Sequence, residues 1–433
     1  MKKLTLTISL ILSFIFTPLL KAQFVINAEL RNRSEANHGY HSLPIESSQT
    51  AYYISQRTRL NLKYTHDKFT SYVSVQDVRF WGQEDMASKT GIQSSSLGLD
   101  ISQAWFNWEF AKNWGLKTGR QLWSYDDGRI LASRNWNQTA LSYDALLIHF
   151  DKEDFHFHFG SSINNTNTSF NRDADLLNYY NYPYGYRIKY FNFLWLKFHA
   201  SDKFSISLAE YVASYLDPNT TSTYYNLSTS TLHFNYQSEK LKILANVFYQ
   251  LYQKPNSDKY SNAFMLTFSA NFQPNKVSYG IGADYLSGED EDGNNAFNLM
   301  YGARFKYYGW MNYFILSKDS KEAGLIDIYP NIKFKINNKN SVCATYHAFW
   351  TSEDLGIMDG GDFSYLTRNL GGELDLGYNY IYDKSFRIQM NLGYYFANET
   401  TEYAKEIPKG TSTTPIWASI MLTYKPEFFR TEK

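Results

Sequence analysis

From residue 24 almost to its end the chain alternates apolar and polar residues with a period of two. Phe24, Ile26, Ala28 and Leu30 share one face, and Asn27, Glu29, Arg31 and Arg33 share the other. Arg57, Arg59, Asn61 and Lys63 stand opposite Leu60, Leu62 and Tyr64 in the same way, and Phe155-His156-Phe157-His158-Phe159 is the barest case. Successive side chains of a strand point to opposite faces, so this pattern, carried by aromatic and β-branched residues, means strands. Helical spacing is not sustained anywhere beyond the first 22 residues.

The connections alternate in length. Short polar turns fall at 65–68, 111–113, 151–154, 200–203, 237–240, 273–276, 337–340 and 382–385. Between them lie long stretches rich in Gly, Asn, Ser and Asp, at 34–51, 82–96, 124–142, 162–185, 287–296, 351–366 and 398–414. Tight turns at one end and long loops at the other are the mark of an outer-membrane barrel. A soluble barrel fills its interior with side chains, which fails as the ring widens beyond about eight strands. This chain offers about twice that number, so its apolar face needs lipid and its sheet must close.

The expectation is therefore an all-β, transmembrane, antiparallel up-and-down barrel of about 18 strands, within about 16–20. The count turns on residues 297–314. Read as a membrane hairpin, that segment raises the total to about 20; read as part of one long loop from 287 to 323, it leaves about 18, the expected count. Trp105, Trp108, Trp114 and Trp123 suit interfacial girdles.

Other features bound the class. Lys2 and Lys3, an apolar body from Leu4 to Leu20 and a small-residue exit at Lys21-Ala22 give residues 1–22 the layout of a cleaved secretory signal, leaving 23–433 as one barrel domain. No later run approaches the roughly 20 apolar residues of a membrane helix. The 42 basic and 42 acidic residues cancel, so no global field favours nucleic acid. A single cysteine, Cys343, excludes an internal disulfide and reads as an inert thiol on a strand.

The stretch GRQLWSYDDGRILASRNW, residues 119–136, gathers two carboxylates and three arginines. It admits three readings: a constriction folded into the lumen, a structural loop, or a catalytic site. Hydrolysis would need one acid and one base on opposite sides of a bond. Adjacent residues on extended backbone point apart, so Asp126 and Asp127 are poorly placed for that. Charged rings select solutes by sign and size, and the constriction is preferred, formed by Asp126, Asp127, Arg129 and Arg134. His156 and His158 share one face at a spacing that suits a metal, but alternation of lumen-facing polar residues with Phe accounts for them more simply. The acidic run 288–295 lacks the spaced ligands of a dedicated Ca²⁺ site and reads as a solvated external loop. No catalytic residue, metal or cofactor is expected.

Several strings, in order, resemble the alginate export porin family of Gram-negative outer membranes: QRTRLNL at 56–62, QDVRFWG at 76–82, the 119–136 stretch, YLSGEDED at 285–292, FNLMYGARFKYYGWMNYF at 297–314, YHAFW at 346–350 and LGGELDLGYNY at 370–380. The resemblance implies a monomeric barrel whose arginine-lined lumen passes an anionic polysaccharide such as alginate. It matches Arg59, Arg79, Arg120 and Arg129 to the basic lumen, with Asp126 and Asp127 as acidic counterweights.

The expected function is passive diffusion or export of hydrophilic solutes. Arg31, Arg33, Arg57, Arg59 and Lys63 would set the local sign of the lumen, opposed by Glu373 and Asp375. Expected partners are outer-membrane lipid, a hydrophilic or anionic glycan, and a periplasmic partner docking at the short turns. Two other classes compete: a barrel enzyme at the membrane surface and a secreted glycan-binding β-protein.

Overall fold

The computed structural model describes residues 22–82, 86–88, 91–92, 99–163, 187–216, 224–253, 260–290, 295–359 and 362–431. The signal expected at 1–22 lies outside these residues except for Ala22, as do the middle of the acidic run 288–295 and most of the loop expected at 162–185.

Eighteen antiparallel strands follow one another around a closed ring. They are β1 (Ala22–His38), β2 (Ala51–His66), β3 (Phe69–Phe80), β4 (Leu99–Ala111), β5 (Trp114–Gln121), β6 (Tyr143–Lys152), β7 (Phe155–Ile163), β8 (Arg187–Ser201) and β9 (Phe204–Leu216). The second half comprises β10 (Tyr224–Gln237), β11 (Leu241–Gln253), β12 (Tyr260–Phe272), β13 (Val277–Leu286), β14 (Leu325–Lys335), β15 (Asn340–Trp350), β16 (Asn369–Ile381), β17 (Phe386–Phe396) and β18 (Ile416–Tyr424). β1 closes the ring, pairing with β2 on one side and with β18 on the other, where Glu427–Arg430 extends the pairing. Closure leaves no unpaired edge, the condition for a sheet to cross a membrane. No helix among the described residues is long and apolar enough to do so.

The alternation sorts as the sequence demands. On β12, Phe264, Leu266 and Phe268 are exposed on the outer face while Ala263, Met265 and Thr267 are buried within. On β2, Leu60 and Tyr64 point out and Arg57, Arg59 and Asn61 point in. Burying a Leu or Phe side chain away from water is worth about 1.5–3 kcal/mol, so this outer belt demands lipid. Near the tight turns Trp108 stacks on Phe69, and Trp114 packs against Phe110 and Phe150, as an interfacial girdle requires. Trp105 and Trp123 do not join it. Trp105 stacks on the inward Tyr72, and Trp123 is buried in the lumen against Tyr143 and Phe193.

The interior is packed with side chains at its loop end. At the loop end, inward side chains such as Phe191, Phe193, Tyr211, Met265, Phe349 and Tyr395 pack against Tyr125, Ile130, Leu131, Met300, Met311 and Phe314, which belong to loops folded into the barrel. Long loops carrying their own apolar residues, opposite aromatic wall positions, bury one another. The 297–314 segment is part of the single connection between β13 and β14, so the ring has 18 strands and not 20. The connection after β17 adds a short helix, α1 (Glu399–Ala404), capped by the Asn398 carboxamide, which accepts from Thr401 N at 3.0 Å.

Candidate functional site

The loop between β5 and β6 crosses the lumen and is anchored at three places well separated around the ring. At the first, Asp126 accepts hydrogen bonds from Trp195 Nε1 of β8 at 3.1 Å and Ser207 Oγ of β9 at 2.5 Å. Next, Arg129 donates from Nη1 to Asp284 Oδ2 of β13 at 2.5 Å and from Nη2 to the Tyr329 hydroxyl of β14 at 3.1 Å. The third anchor is the wall of β1–β3, where arginines grip the loop's backbone.

That grip is built from the inward row of the first hairpin. Arg31 donates from Nε to Gln138 Oε1 at 2.9 Å and to the carbonyls of Asn135 at 2.8 Å and Asn137 at 2.8 Å. Arg57 is paired with Glu29 and reaches the Asn135 side chain at 3.0 Å and the Asn137 and Gln138 carbonyls at 3.2 Å each. Arg59 joins Gln76 Oε1 at 2.9 Å to Asn135 Oδ1 at 3.1 Å. Arg33 pairs with Glu35 at 2.8 Å and lies over the Trp136 ring. A guanidinium's fork of donors suits several carbonyls at once.

A second inward loop, from 295 to 324, locks onto the first. Their backbones zip side by side: Tyr301 N donates to Ile130 O at 3.0 Å, Ala132 N to Tyr301 O at 3.2 Å, and Ala303 N to Gly128 O at 2.8 Å. Arg134 adds donations to the carbonyls of Met300 and Gly302 at 2.8 and 2.9 Å. At its far side this loop rests on two β16 carboxylates: Met311 N donates to Glu373 Oε1 at 2.7 Å, and Trp310 N to Asp375 Oδ2 at 3.0 Å. The turn at Gly309 has φ +78°, and a Cβ there would lie 2.5 Å from the Glu373 carboxyl carbon, so only glycine seats the loop so closely. Arg129 is buried among Asp127, Asp284, Tyr307 and Tyr308. Burial opposes its charge, but Asp284 and the surrounding tyrosines outweigh it and hold the guanidinium protonated, well above its ordinary value.

Of the residues singled out in the sequence, Arg31, Arg33, Arg57, Arg59, Asp126, Asp127, Arg129, Arg134, Glu373 and Asp375 all meet within this inward-loop assembly. Most serve as clamps with filled hydrogen-bonding groups. Lys63 is exposed in the inward row towards the tight turns. Two arginines lie elsewhere: Gln76 and Gln121 point inward, so alternation places Arg79 and Arg120 on the outer face near the loop-side rim. There Arg79 pairs with Asp77 at 2.6 Å and Arg120 with Asp144 at 2.8 Å. Their positions in QDVRFWG and GRQLW correct the expectation that they line the lumen. The two neighbouring carboxylates also part company, Asp126 towards β8 and β9, Asp127 towards Arg129 and Asn246, which is not an acid–base pair about one bond.

The partners Glu29, Asn135, Gln138, Asp284 and Tyr329 make the assembly as much as the arginines do. Of these, sequence reasoning placed only Glu29 in the inward row. The signal for Asp284 was its place in the alternating Val277–Tyr285 run, but nothing local says which loop will reach it.

A family model described as "Alginate export" matches residues 23–163, the seven strands that include the basic row and the first inward loop. No curated protein matches the sequence. Solved structures match over nearly the whole chain. Acinetobacter baumannii OccAB4 aligns with TM-score 0.61 at 11% identity, covering 95% of this chain and 99% of that one. Pseudomonas aeruginosa OccK9 (OpdG) aligns with TM-score 0.60 at 10% identity, covering 94% and 98%. P. aeruginosa OccD3 (OpdP) gives 0.58 at 11% identity, covering 95% and 93%. The chain thus has the fold of an outer-membrane porin barrel and resembles the alginate export family over its first seven strands.

Proposed function

We propose that this outer-membrane barrel is a restricted channel for small hydrophilic solutes, with a preference for anions. The observation that carries the reading is the loop of 122–142, tied across the lumen at three separated points of the ring. It leaves a polar lumen on the turn side and a packed, aromatic plug with an arginine-rich edge on the loop side. Solutes that pass do so beside this plug and through the turn-side lumen, where the exposed Lys63 offers positive charge. The protein works as a monomeric conduit for solutes and not as a catalyst; a periplasmic partner would meet it at the short turns.

Liposome swelling tests this directly. Vesicles carrying the protein should admit neutral monosaccharides, and a uronate faster than an amino sugar of equal size. Absence of swelling, or faster entry of the cationic sugar, contradicts it.

A second reading, passage of a uronate polymer, is favoured by the extent of the family match, which covers both the basic row and the first inward loop. On that reading the plug swings aside to admit an extended chain. Oligouronates added to one side of a bilayer should then interrupt the current in a length-dependent manner, and monomers should not.

A further inference from the structure

We propose that the β6–β7 hairpin carries a binding site for a divalent transition-metal ion, with Zn²⁺ as its chemical match. The ligands are His149 Nδ1, His158 Nε2 and the Asp151 carboxylate, with His156 Nδ1 available as a further donor. The site lies in the polar, turn-side lumen and is independent of the channel reading.

The register makes it. His149 pairs with His158 and Asp151 with His156 across the hairpin, so all four side chains fall on the inward face. Three imidazole nitrogens converge on one carboxylate: His149 Nδ1 is 2.8 Å from Oδ2, while His156 Nδ1 and His158 Nε2 lie 2.7 and 3.0 Å from Oδ1. The donor atoms of His149, Asp151 and His158 lie within 4.8 Å of one another. Ligands about 2.0–2.1 Å from a tetrahedral Zn²⁺ stand about 3.3 Å apart, so small side-chain rotations admit the ion.

The surroundings argue for a cation more sharply than the cluster alone. Asn107 donates from Nδ2 to Glu109 Oε1 at 2.6 Å, which turns its carbonyl oxygen towards His149 Nε2, 2.9 Å away. Nε2 must therefore carry the proton. That leaves Nδ1 as the ring nitrogen facing the Asp151 carboxylate, placed to take a proton or a cation. His158 likewise turns its other nitrogen, Nδ1, to the Tyr125 hydroxyl at 3.0 Å. A ligating histidine held through its second nitrogen by an oxygen is the usual support of a metal site. Imidazole donors select Zn²⁺, Ni²⁺ or Cu²⁺ over Ca²⁺ and Mg²⁺. The three side chains are partly exposed, Asp151 the most, so the ion can enter from the turn-side water.

The test uses the full-length barrel in detergent, stripped with a chelator. Equilibrium dialysis should show one Zn²⁺ per chain at micromolar concentration, and Co²⁺ should give the intense visible bands of a tetrahedral site. The His149→Gln/His158→Gln double variant and Asp151→Asn should each weaken binding at least tenfold, while His66→Gln, outside the cluster, should not. Heat-modifiable migration on gels checks that every variant remains a folded barrel. The proposal is overturned if the wild-type chain binds no Zn²⁺ saturably, or if its Co²⁺ spectrum is only that of the hydrated ion. Unchanged affinity in the folded double variant also overturns it.

Discussion

Arg57 touches the barrel wall and the inward loop at once, and its charge has no other outlet. Its side chain is 1% exposed, bound to Glu29 and to the loop around Asn135. Removing one partner of a buried ion pair leaves the other uncompensated, at a cost of about 3–5 kcal/mol. A closed ladder of backbone bonds resists that penalty; the loop does not. Arg57→Ala should therefore free the 124–142 loop while the barrel stays folded, seen as new protease cleavage between 125 and 140 with unchanged heat-modifiable migration. The outer arginines make the opposite case. Because Arg120 lies outside with Asp144, Arg120→Glu should leave the reversal potential of the channel unchanged. Lys63→Glu, in the inward row, should shift it towards cations. Equal shifts in the two variants would refute the assignment of faces. The identity of an inward residue was legible wherever alternation ran unbroken, as at Arg31, Arg57 and Glu373. At Arg79 and Arg120 the likeness to a family pattern implies a lumen position, whereas the parity of Gln76 and Gln121 puts both on the outer face.

The long loops behave as elements in their own right, and each is held by its own chemistry. The 295–324 loop depends on the close seat of Gly309 over Glu373. An alanine there combines a left-handed backbone, costing about 1–2 kcal/mol, with a clash against the carboxyl group. Gly309→Ala should lift Trp310 and Met311 from β16, detected as faster hydrogen exchange of their amides. The loop after β17 is held by Glu402, whose carboxylate accepts from Ser412 N at 2.9 Å and Gly410 N at 2.7 Å. Burial works against its charge, but these donors prevail and hold its pKa below the ordinary value. The stabilisation is complete above about pH 4.3, the ordinary Glu value, and is lost as pH falls through the depressed folded value. Acid should thus loosen residues 405–412 before the barrel strands, read by hydrogen exchange across that range. None of this was visible in the sequence. Turn residues announce that a loop exists; which wall it will reach depends on side chains 155 residues apart, such as Arg129 and Asp284.

At the scale of the whole molecule two opposite burials coexist in one sheet. The outer face hides apolar side chains in lipid, and the loop-side inner face hides them against loops that have turned inward. The first follows from period-two patterning alone, so strands, turns and ring closure are legible in the sequence. The second needs the inner positions to be rich in aromatics towards the loop end, as at Phe191, Phe193 and Tyr395, a bias that alternation hides because both faces of those strands then read as apolar. On the proposed reading the consequence is a wide barrel with a narrow passage. Single-channel recording in planar bilayers tests it most directly, comparing the wild-type chain with one whose residues 125–141 are replaced by a short Gly-Ser linker. The wild type should give small, stepwise currents and the replaced chain currents several-fold larger, at unchanged barrel size. Equal conductance in the two chains, or no steps from either, would contradict a lumen spanned by that loop.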